Sequence, residues 1–405
     1  NIGLSKYRYI IVILFFFLNF SNGMEWVTYS STSDSFREAF NLTRMKVDLL
    51  SMIFMIVYPF VYIPEAYLID NISVHLGLSL ASITTFLGSL VKIWTNNCLA
   101  LAYIGQFLAS SFQPAILNSP AKIGSIWFNE NSRALVTSIC VSANTIGVLF
   151  GYIFHTFFID DKSKDDKYKD ELKKYLIAEC IVVGILSLPT IFLFRNKPST
   201  FSSVSQIENK PLELKKNLSF LISNKDFVLF LICATFIVGF FNIIGTTLNH
   251  YLAIYQISDD DATITAGVAN GVGLISCLII SAILDKTKKF KQMMVILNIL
   301  GLLFIILLTV LLELVNNKKG VISIVIYTLV FSTVVPIYST GMDYVVELTY
   351  PVGESYSGGL IMTCNQILGI IGILSVDALV DNYGKYPFLP NLLFCILFSG
   401  SLISI

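Results

Sequence analysis

Charged residues are scarce in this chain of 405 residues. They make up 13% of it, against 55% hydrophobic residues, whereas a soluble globular protein carries about 25% charged residues. Lys and Arg equal Asp and Glu at 27 each, so no positive excess favours nucleic acid or an anionic surface as a partner. The composition excludes an ordinary water-soluble enzyme and predicts a protein that resides in a lipid bilayer and has no nucleic-acid partner.

Motifs for metals, cofactors and nucleotide hydrolysis are also missing. The seven cysteines and three histidines form no Cys-x-x-Cys pair and no Cys/His cluster, which predicts neither a metal site nor a disulfide framework. The Gly-x-x-x-x-Gly-Lys-Ser/Thr loop of ATP-driven pumps does not occur. We therefore expect no catalytic residues, no cofactor and no enzymatic activity.

Apolar runs of membrane-spanning length dominate the chain, and a polar, basic segment divides them into two sets of six. Hydropathy predicts twelve helical spans, at 9–33, 45–69, 77–95, 98–118, 133–157, 175–194, 226–250, 263–284, 291–313, 320–345, 355–380 and 387–405. The prediction is an all-α polytopic membrane protein. Its N-terminal six-helix bundle covers 1–194, a cytoplasmic linker covers 195–225, and a C-terminal six-helix bundle covers 226–405.

The distribution of basic residues predicts the orientation in the membrane. In the loop 160–174 lysines alternate with acids, so this loop is set aside. Elsewhere Lys and Arg are more frequent on the side of the termini and the linker. Because loops rich in Lys and Arg stay in the cytoplasm, both termini and the linker are expected there. Within the spans, Gly147-x-x-x-Gly151 and Gly267-x-x-x-Gly271 are expected to let helices approach closely.

Short patterns recur in the two halves. Ala66–Asp70 consists of a small residue, three apolar or aromatic residues and an acid, and the pattern recurs 215 residues later at Ser281–Asp285. Asn144-Thr145-Ile146 recurs as Asn365-Gln366-Ile367 at an offset of 221. Two six-helix halves at a near-constant offset, joined by a long linker, resemble the major facilitator superfamily. That resemblance implies a substrate site at midplane between the halves.

Four acids are candidates for gating residues. Asp70 and Asp285 resemble the acid of that superfamily's signature between the second and third helices, although the first copy lacks the expected bases. The alternative is an acid that caps a helix end beside a solvated turn. Asp343 and Glu347 form an i, i+4 pair that is predicted to contact the region of Lys122 or Arg133, with a solvated helix end as the alternative.

Polar residues follow one face of two predicted spans. In the first span Asn19, Asn22, Trp26, Tyr29 and Ser33 are spaced 3, 4, 3 and 4, which stacks them on one side of a helix. The seventh span has a similar face, formed by Thr235, Gly239, Asn242, Thr246 and Asn249. Lipid cannot hydrogen-bond such faces, so each must line the protein interior or a wet cavity. Together they predict a shared central cavity.

Trp26 is the main candidate for a substrate contact. An indole face attracts a cation within about 6 Å, worth roughly 2 kcal/mol when water is excluded. Packing in the core or anchoring at the membrane interface is the alternative. Glu25 is a second candidate, because an unpartnered carboxylate at membrane depth costs roughly 2.5–3.5 kcal/mol. It points about 100° away from Trp26 around the helix. A contact with a neighbouring helix is therefore as well supported as a contact with the substrate.

Five stretches of the chain resemble the feline leukaemia virus subgroup C receptor family. They are Met24–Ser30, Asp48–Met52, Ser119–Phe128, Leu248–Asn249 and Glu347–Pro351. Members of that family are major facilitator carriers of choline and ethanolamine, earlier assigned as haem exporters. The resemblance implies that Trp26 contacts choline and that Gln366 lies in the pocket. It also shows two departures, because Asn242 replaces an aromatic of the family's cation cage and Thr145 replaces a pocket glutamine.

The resulting hypothesis is a carrier of a small organic cation, choline or ethanolamine, that works by alternating access and facilitated diffusion. We expect a monomer in the plasma membrane, with an organelle membrane as the alternative. Phe240, Phe241 or Tyr338 could replace the missing aromatic. The expected substrate contacts are Trp26, Gln366, Asn242, Glu25, Asn22, Tyr29, Thr145, Asn249 and Tyr338. The rival hypotheses are a haem carrier, a proton-coupled transporter of another solute that uses Glu25 and Glu179, and a non-transporting receptor.

Overall fold

The computed structural model is α-helical, and the residues that it describes contain no β-strand. These residues are 6–129, 132–159, 165–197, 214–257, 259–314, 319–350, 352, 354–383 and 388–403.

In the first half of the chain, long helices alternate with short connecting ones. They are α1 (Arg8–Trp26), α2 (Ser33–Ala39), α3 (Arg44–Tyr67), α4 (Val74–Lys92), α5 (Ala100–Ser110), α6 (Gln113–Leu117), α7 (Ser119–Trp127), α8 (Arg133–Phe154), α9 (Asp165–Ser187) and α10 (Pro189–Leu193). A π-helical turn, Leu68–Ile72, extends α3, and 3-10 turns occupy Ser30–Thr32 and His155–Phe157.

The second half is built from longer helices. They are α11 (Leu214–Ser223), α12 (Lys225–Ile254), α13 (Asp259–Thr287), α14 (Phe290–Leu314), α15 (Lys319–Thr349), α16 (Glu354–Tyr383) and α17 (Phe388–Ile403). α11 falls within the predicted linker 195–225, and residues 198–213 of that linker lie outside the described residues.

The helices confirm the prediction of an all-α polytopic membrane protein. Ten stretches of the described chain are long and apolar enough to cross a membrane. The predicted fourth and twelfth spans fall on α5 and α17, which have 11 and 16 residues. Both are shorter than the roughly 20 residues of a typical span.

Packing divides the chain into two compact units. Unit 1 comprises Asn1–Glu130, Ile139–Pro211 and Gly353–Gly359, and unit 2 comprises Asn131–Ser138, Leu212–Val352 and Leu360–Ile405. The start of α8 therefore belongs to unit 2, and the start of α16 belongs to unit 1. The predicted bundle boundaries at 194 and 226 stay a prediction.

α1 ends at Trp26, earlier than the span 9–33 predicted from hydropathy. The residues that follow are rich in hydroxyl side chains, which compete with the helix for backbone acceptors. Ser30 Oγ donates to the Val27 carbonyl at 3.3 Å, and Ser31 Oγ donates to the Thr28 carbonyl at 3.2 Å. The predicted polar face of the first span is therefore interrupted, because Tyr29 lies beyond the last turn of α1.

Two glycines let α8 pack directly on α1 within unit 1. A Cβ atom placed on Gly147 would collide with the backbone of Phe20, and one on Gly151 would meet Val27 at 2.6 Å. This agrees with the close approach expected at this pair of glycines. At Gly267 and Gly271 the expectation is not met, because a Cβ atom there meets nothing within 4 Å.

A matched pair of alanine substitutions tests this contact. Gly147→Ala should lower the free energy of unfolding by about 1–3 kcal/mol, because α1 must move away from α8. Gly267→Ala should be neutral or stabilising by up to about 1 kcal/mol, because alanine favours a helix and has room there. Thermal unfolding of the purified protein in detergent measures both. Equal melting temperatures for the two variants would contradict the close packing of α1 on α8.

Candidate functional site

Trp26 is the last residue of α1, and its indole is partly buried. Its Nε1 donates a hydrogen bond to the Ser51 carbonyl on α3 at 3.2 Å. This bond fixes the direction of the ring against α3, while part of the side chain stays accessible. An oriented, partly exposed indole can present its face to a cation.

Other polar residues near α1 are used inside unit 1. Asn19 Nδ2 donates to the Cys140 carbonyl on α8 at 2.9 Å, and Asn22 Nδ2 donates to the Ala109 carbonyl on α5 at 3.1 Å. Tyr29 is fully buried and shares a 2.8 Å hydrogen bond with Thr95. Burial raises the pKa of the Tyr29 hydroxyl well above its usual value, so this group stays neutral. The roles of Asn22 and Tyr29 as substrate contacts stay predictions.

Three predicted site residues have polar side-chain groups without a hydrogen bond in the described part of the chain. The side chains of Thr145 on α8, Asn242 on α12 and Gln366 on α16 form no hydrogen bond with any part of the chain that the structure describes. Thr145 and Asn242 are partly buried, and Gln366 is 8% exposed. A ligand can bind these groups without breaking an internal bond. Thr145 lies in unit 1, and the other two lie in unit 2.

Of the aromatic residues proposed to replace the missing one, two remain suitable. Phe240 is fully buried between Phe394 and Phe398, with ring centroids 5.2 and 5.0 Å away. Phe241 and Tyr338 are only partly buried. The side chain of Asn249, another predicted contact, lies outside the described residues.

Glu25 belongs to a buried ionic cluster in unit 1. Lys92 Nζ, at the end of α4, lies 3.4 Å from Glu25 Oε2 and 3.4 Å from Glu179 Oε2 on α9. It also donates to Thr28 Oγ1 at 2.9 Å, and Thr28 Oγ1 in turn lies 2.6 Å from Glu179 Oε1. All four residues are fully buried. This favours the interpretation of Glu25 as a contact between helices.

Lys92 completes this cluster, and its part in it was not predicted from the sequence. At 3.4 Å and an effective dielectric constant of about 20, the attraction between Lys92 and an ionised carboxylate is roughly 5 kcal/mol, which offsets the several kcal/mol needed to bury each ion. A lysine inside an apolar span was the available signal, because ionisable residues at membrane depth need partners. Glu25 and Glu179 were both singled out, and the cation that joins them was not.

Asp70 and Asp285 each cap the start of a helix from the other half of the sequence. Asp70 accepts hydrogen bonds from the Ser355 amide at 3.0 Å and hydroxyl at 3.1 Å, at the start of α16. Asp285 accepts from the amides of Ala134 at 3.1 Å and Leu135 at 2.9 Å, at the start of α8. A carboxylate is favoured there, because it satisfies free amides and complements the helix dipole.

Each capping acid also has a basic neighbour. Lys122 Nζ lies 3.3 Å from Asp70 Oδ1, and Lys288 Nζ lies 3.7 Å from Asp285 Oδ1. Lys122 thus pairs with Asp70, and its expected contact with Asp343 or Glu347 stays a prediction. The side chains of Asp343 and Glu347 lie outside the described residues.

Comparison with known families identifies this arrangement. The sequence model of the Major Facilitator Superfamily matches residues 15–373. The chain belongs to the Major Facilitator Superfamily. It is therefore a multi-pass integral membrane protein of a transporter family, which confirms the predicted fold class.

Relatives within the superfamily cover nearly the whole chain. The choline/ethanolamine transporter FLVCR1 of Felis catus is 28% identical over 99% of this chain and 73% of its own length. The choline/ethanolamine transporter FLVCR2 of Homo sapiens is 26% identical over 98% of this chain and 76% of its own length. These relatives confirm the family resemblance seen in the sequence.

Solved structures of superfamily members share the fold. The transporter FucP in the outward conformation matches with a TM-score of 0.74 and 15% identity, over 99% of this chain and 100% of its own. The proton:xylose symporter XylE matches with a TM-score of 0.75 and 13% identity, over 99% and 95% of the two chains.

The two caps of this superfamily member can be tested against each other. Asp285→Ala should speed hydrogen exchange of the Ala134 and Leu135 amides, and Asp70→Ala should do the same at Ser355. Loss of a cap costs about 1–2 kcal/mol, which corresponds to exchange about 5–30 times faster. Hydrogen-exchange mass spectrometry reports both helix starts at once, so each variant is the control for the other. Faster exchange at both starts in either variant would indicate general unfolding and contradict local capping.

Proposed function

We propose that this chain is a transporter of choline or ethanolamine that works by alternating access and facilitated diffusion, without a cofactor or catalytic residues. The observation that carries the proposal is its similarity over nearly its full length to relatives named choline/ethanolamine transporters. We further propose that it acts as a monomer in the plasma membrane, with both termini in the cytoplasm.

Trp26 suits a quaternary ammonium group. Such a group has no N–H, so amides and carboxylates cannot hydrogen-bond it, and an aromatic face is the usual partner. The indole N–H of Trp26 is already occupied by the Ser51 carbonyl, which leaves the ring face as its means of binding. Phe241 or Tyr338 in unit 2 is the proposed second aromatic surface.

The unused polar groups suit the other end of the substrate. Choline and ethanolamine both carry a hydroxyl, which can donate and accept hydrogen bonds. The side-chain amides of Gln366 and Asn242 offer both functions, and Thr145 offers a hydroxyl. Ethanolamine also carries N–H donors that choline lacks, so the two substrates should depend differently on Trp26 and on these amides.

The acidic caps suit the gating step. Alternating access requires contacts that form in one state and break in another, and α8 and α16 each begin in one unit and continue in the other. The caps made by Asp70 and Asp285 are such contacts, because each binds the first turn of one of these helices. We extend the gating role to Asp343 and Glu347 from their sequence position alone.

One possible axial ligand of haem, His75, is already engaged within the protein. Haem iron takes an axial ligand such as His, Cys, Met or Tyr, and His75 Nε2 already bonds the Ile191 carbonyl at 2.9 Å. The names of the relatives that match nearly the whole chain favour the choline hypothesis.

Substitution of Trp26 tests the cation surface. In proteoliposomes, Trp26→Ala should lower the apparent affinity for labelled choline about 10- to 30-fold, since loss of a buried cation–π contact costs roughly 2 kcal/mol. The matched control is Trp94→Ala, which removes a tryptophan that is 48% exposed and should leave uptake unchanged. Ethanolamine uptake should fall less than choline uptake in Trp26→Ala. Unchanged choline affinity would remove Trp26 from the site.

Competition separates the proposed substrate class from its rival. Unlabelled ethanolamine and quaternary ammonium compounds should inhibit uptake of labelled choline, because each carries a positively charged ammonium group, as choline does. Haem analogues should not inhibit at the same concentrations. If haem analogues compete and small ammonium compounds do not, the haem hypothesis replaces ours.

A further inference from the structure

We infer that Glu25, Lys92 and Glu179 form a proton-binding site, in which Glu25 carries a proton while Lys92 pairs with Glu179. Nothing in the proposed facilitated diffusion requires such a site. The proton site stands on the cluster alone, and only its coupling to the substrate rests on the proposed transport function.

The charges of the cluster do not balance. Two carboxylates face one ammonium group, and Lys92 is the only cation within ion-pair distance of either carboxylate among the described residues. Both carboxylates and the ammonium are fully buried. An uncompensated charge at such a place is strongly disfavoured, and groups in this situation take up a proton instead. One bound proton makes the cluster neutral.

The hydrogen bonds indicate which carboxyl group is protonated. Glu179 Oε1 lies 2.6 Å from the Thr28 hydroxyl, which can donate to it. Neither carboxylate oxygen of Glu25 accepts a hydrogen bond within the part of the chain that the structure describes. Hydrogen bonds to a carboxylate favour its charged form. Glu179 is therefore the ionised member of the pair, and Glu25 is the protonated one.

A proton fits the cluster better than a metal ion does. The ammonium group of Lys92 already lies within 3.4 Å of both carboxylates and so takes the place where a cation would bind them jointly. Sodium or another cation would also need several further oxygen ligands, as hard cations do. A proton needs only one oxygen atom.

The surrounding titratable groups do not change the charge count. Among the described residues, the other titratable groups that interact with the carboxylates are Tyr29, from the segment after α1, and Tyr175 and Cys180 on α9. Tyr168 on α9 lies next to Tyr29 and Tyr175. From α4 and α5 the neighbours of the cluster are Ser89 and Gly105, which do not titrate. Tyrosine and cysteine are uncharged in their protonated forms. The excess negative charge therefore stays with Glu25 and Glu179.

The position of Glu25 links the proton to the substrate site. Glu25 directly precedes Trp26 at the end of α1 and points about 100° away from it around the helix, so its charge acts on a cation at the indole through space and without direct contact. An ionised Glu25 attracts such a cation, and a protonated Glu25 does not. Cation binding and proton binding therefore oppose each other, and the affinity for a cationic substrate should rise with pH.

Infrared spectroscopy of the purified protein without substrate tests the proton directly, through the carbonyl stretch of a protonated carboxyl group. At about neutral pH, Glu25→Gln should reduce the intensity of this band by the amount that one protonated carboxyl group contributes. Glu179→Gln should do the same, because Glu25 then pairs with Lys92. Lys92→Met should increase the intensity of the band by the contribution of one further carboxyl group, because both carboxyl groups become protonated. An unchanged band in a monodisperse Glu25→Gln or Glu179→Gln protein would overturn the proton site.

The chain provides a matched control in Glu65, a buried carboxyl group on α3 that accepts a hydrogen bond from the Ala115 amide at 2.8 Å. Glu65→Gln is introduced into both the wild type and the Glu25→Gln variant, and the spectral difference between those two proteins should stay unchanged. If that difference disappears when Glu65 is replaced, the signal does not come from the cluster and the proposal fails.

Choline affinity measured across pH tests the coupling. In the wild type it should tighten as pH rises through the titration of the cluster, and in Glu25→Gln it should not change with pH. A wild-type affinity that is independent of pH would overturn the coupling while the infrared result still decides the proton site. Absence of choline binding in the wild type would instead refute the proposed function.

Discussion

The hydrocarbon core of a bilayer supplies no hydrogen bonds, so a polar side chain on a membrane-spanning helix needs a partner from the protein. α1 shows how far this constraint organises unit 1. Asn19 bonds α8, Asn22 bonds α5, and Glu25 reaches Lys92 on α4. Each polar residue thus holds α1 against a different neighbour. The glycines of α8 complete this packing, because they bring its backbone against α1.

The same constraint separates structural polar residues from those suited to a ligand. A buried polar group without a partner costs about 1–3 kcal/mol, so an amide that is left unused in the protein interior has a reason to be there. The side chains of Gln366 and Asn242 form no hydrogen bond within the described part of the chain, whereas Asn22 uses its Nδ2 on the Ala109 carbonyl and only its Oδ1 lacks a partner. A ligand that supplies the missing hydrogen bonds removes the cost. Burial alone does not distinguish Asn22 from Gln366, because both side chains are buried.

Hydropathy predicted most of the helical spans, and the internal repeat singled out Asp70 and Asp285, because both signals depend on residues close together in sequence. The contacts of these acids with the starts of α16 and α8 were not predicted, because they join residues far apart in sequence. The polar face of the first span was harder to predict. Its 3.6-residue periodicity extended to Ser33, whereas α1 ends at Trp26, where hydroxyl side chains bond the backbone. The partner of Glu25 was harder still. Periodicity gives the direction of a side chain around its own helix, but Lys92 comes from a helix whose placement depends on the packing of the whole unit.

The two kinds of polar contact differ in strength, and the difference suits a transporter. A carboxylate at a helix start contributes about 0.3–2 kcal/mol. Because about 1.4 kcal/mol corresponds to a factor of ten in an equilibrium constant, loss of a cap made by Asp70 or Asp285 shifts the equilibrium between two conformations by a modest factor. The ion pair of Lys92 is buried, and breaking it would leave an unpaired charge in a medium that cannot solvate it, which costs about 3–5 kcal/mol. A conformational change should therefore break the caps at the helix starts while the cluster within unit 1 stays intact. Within that intact cluster, the state of a single proton on Glu25 remains free to change.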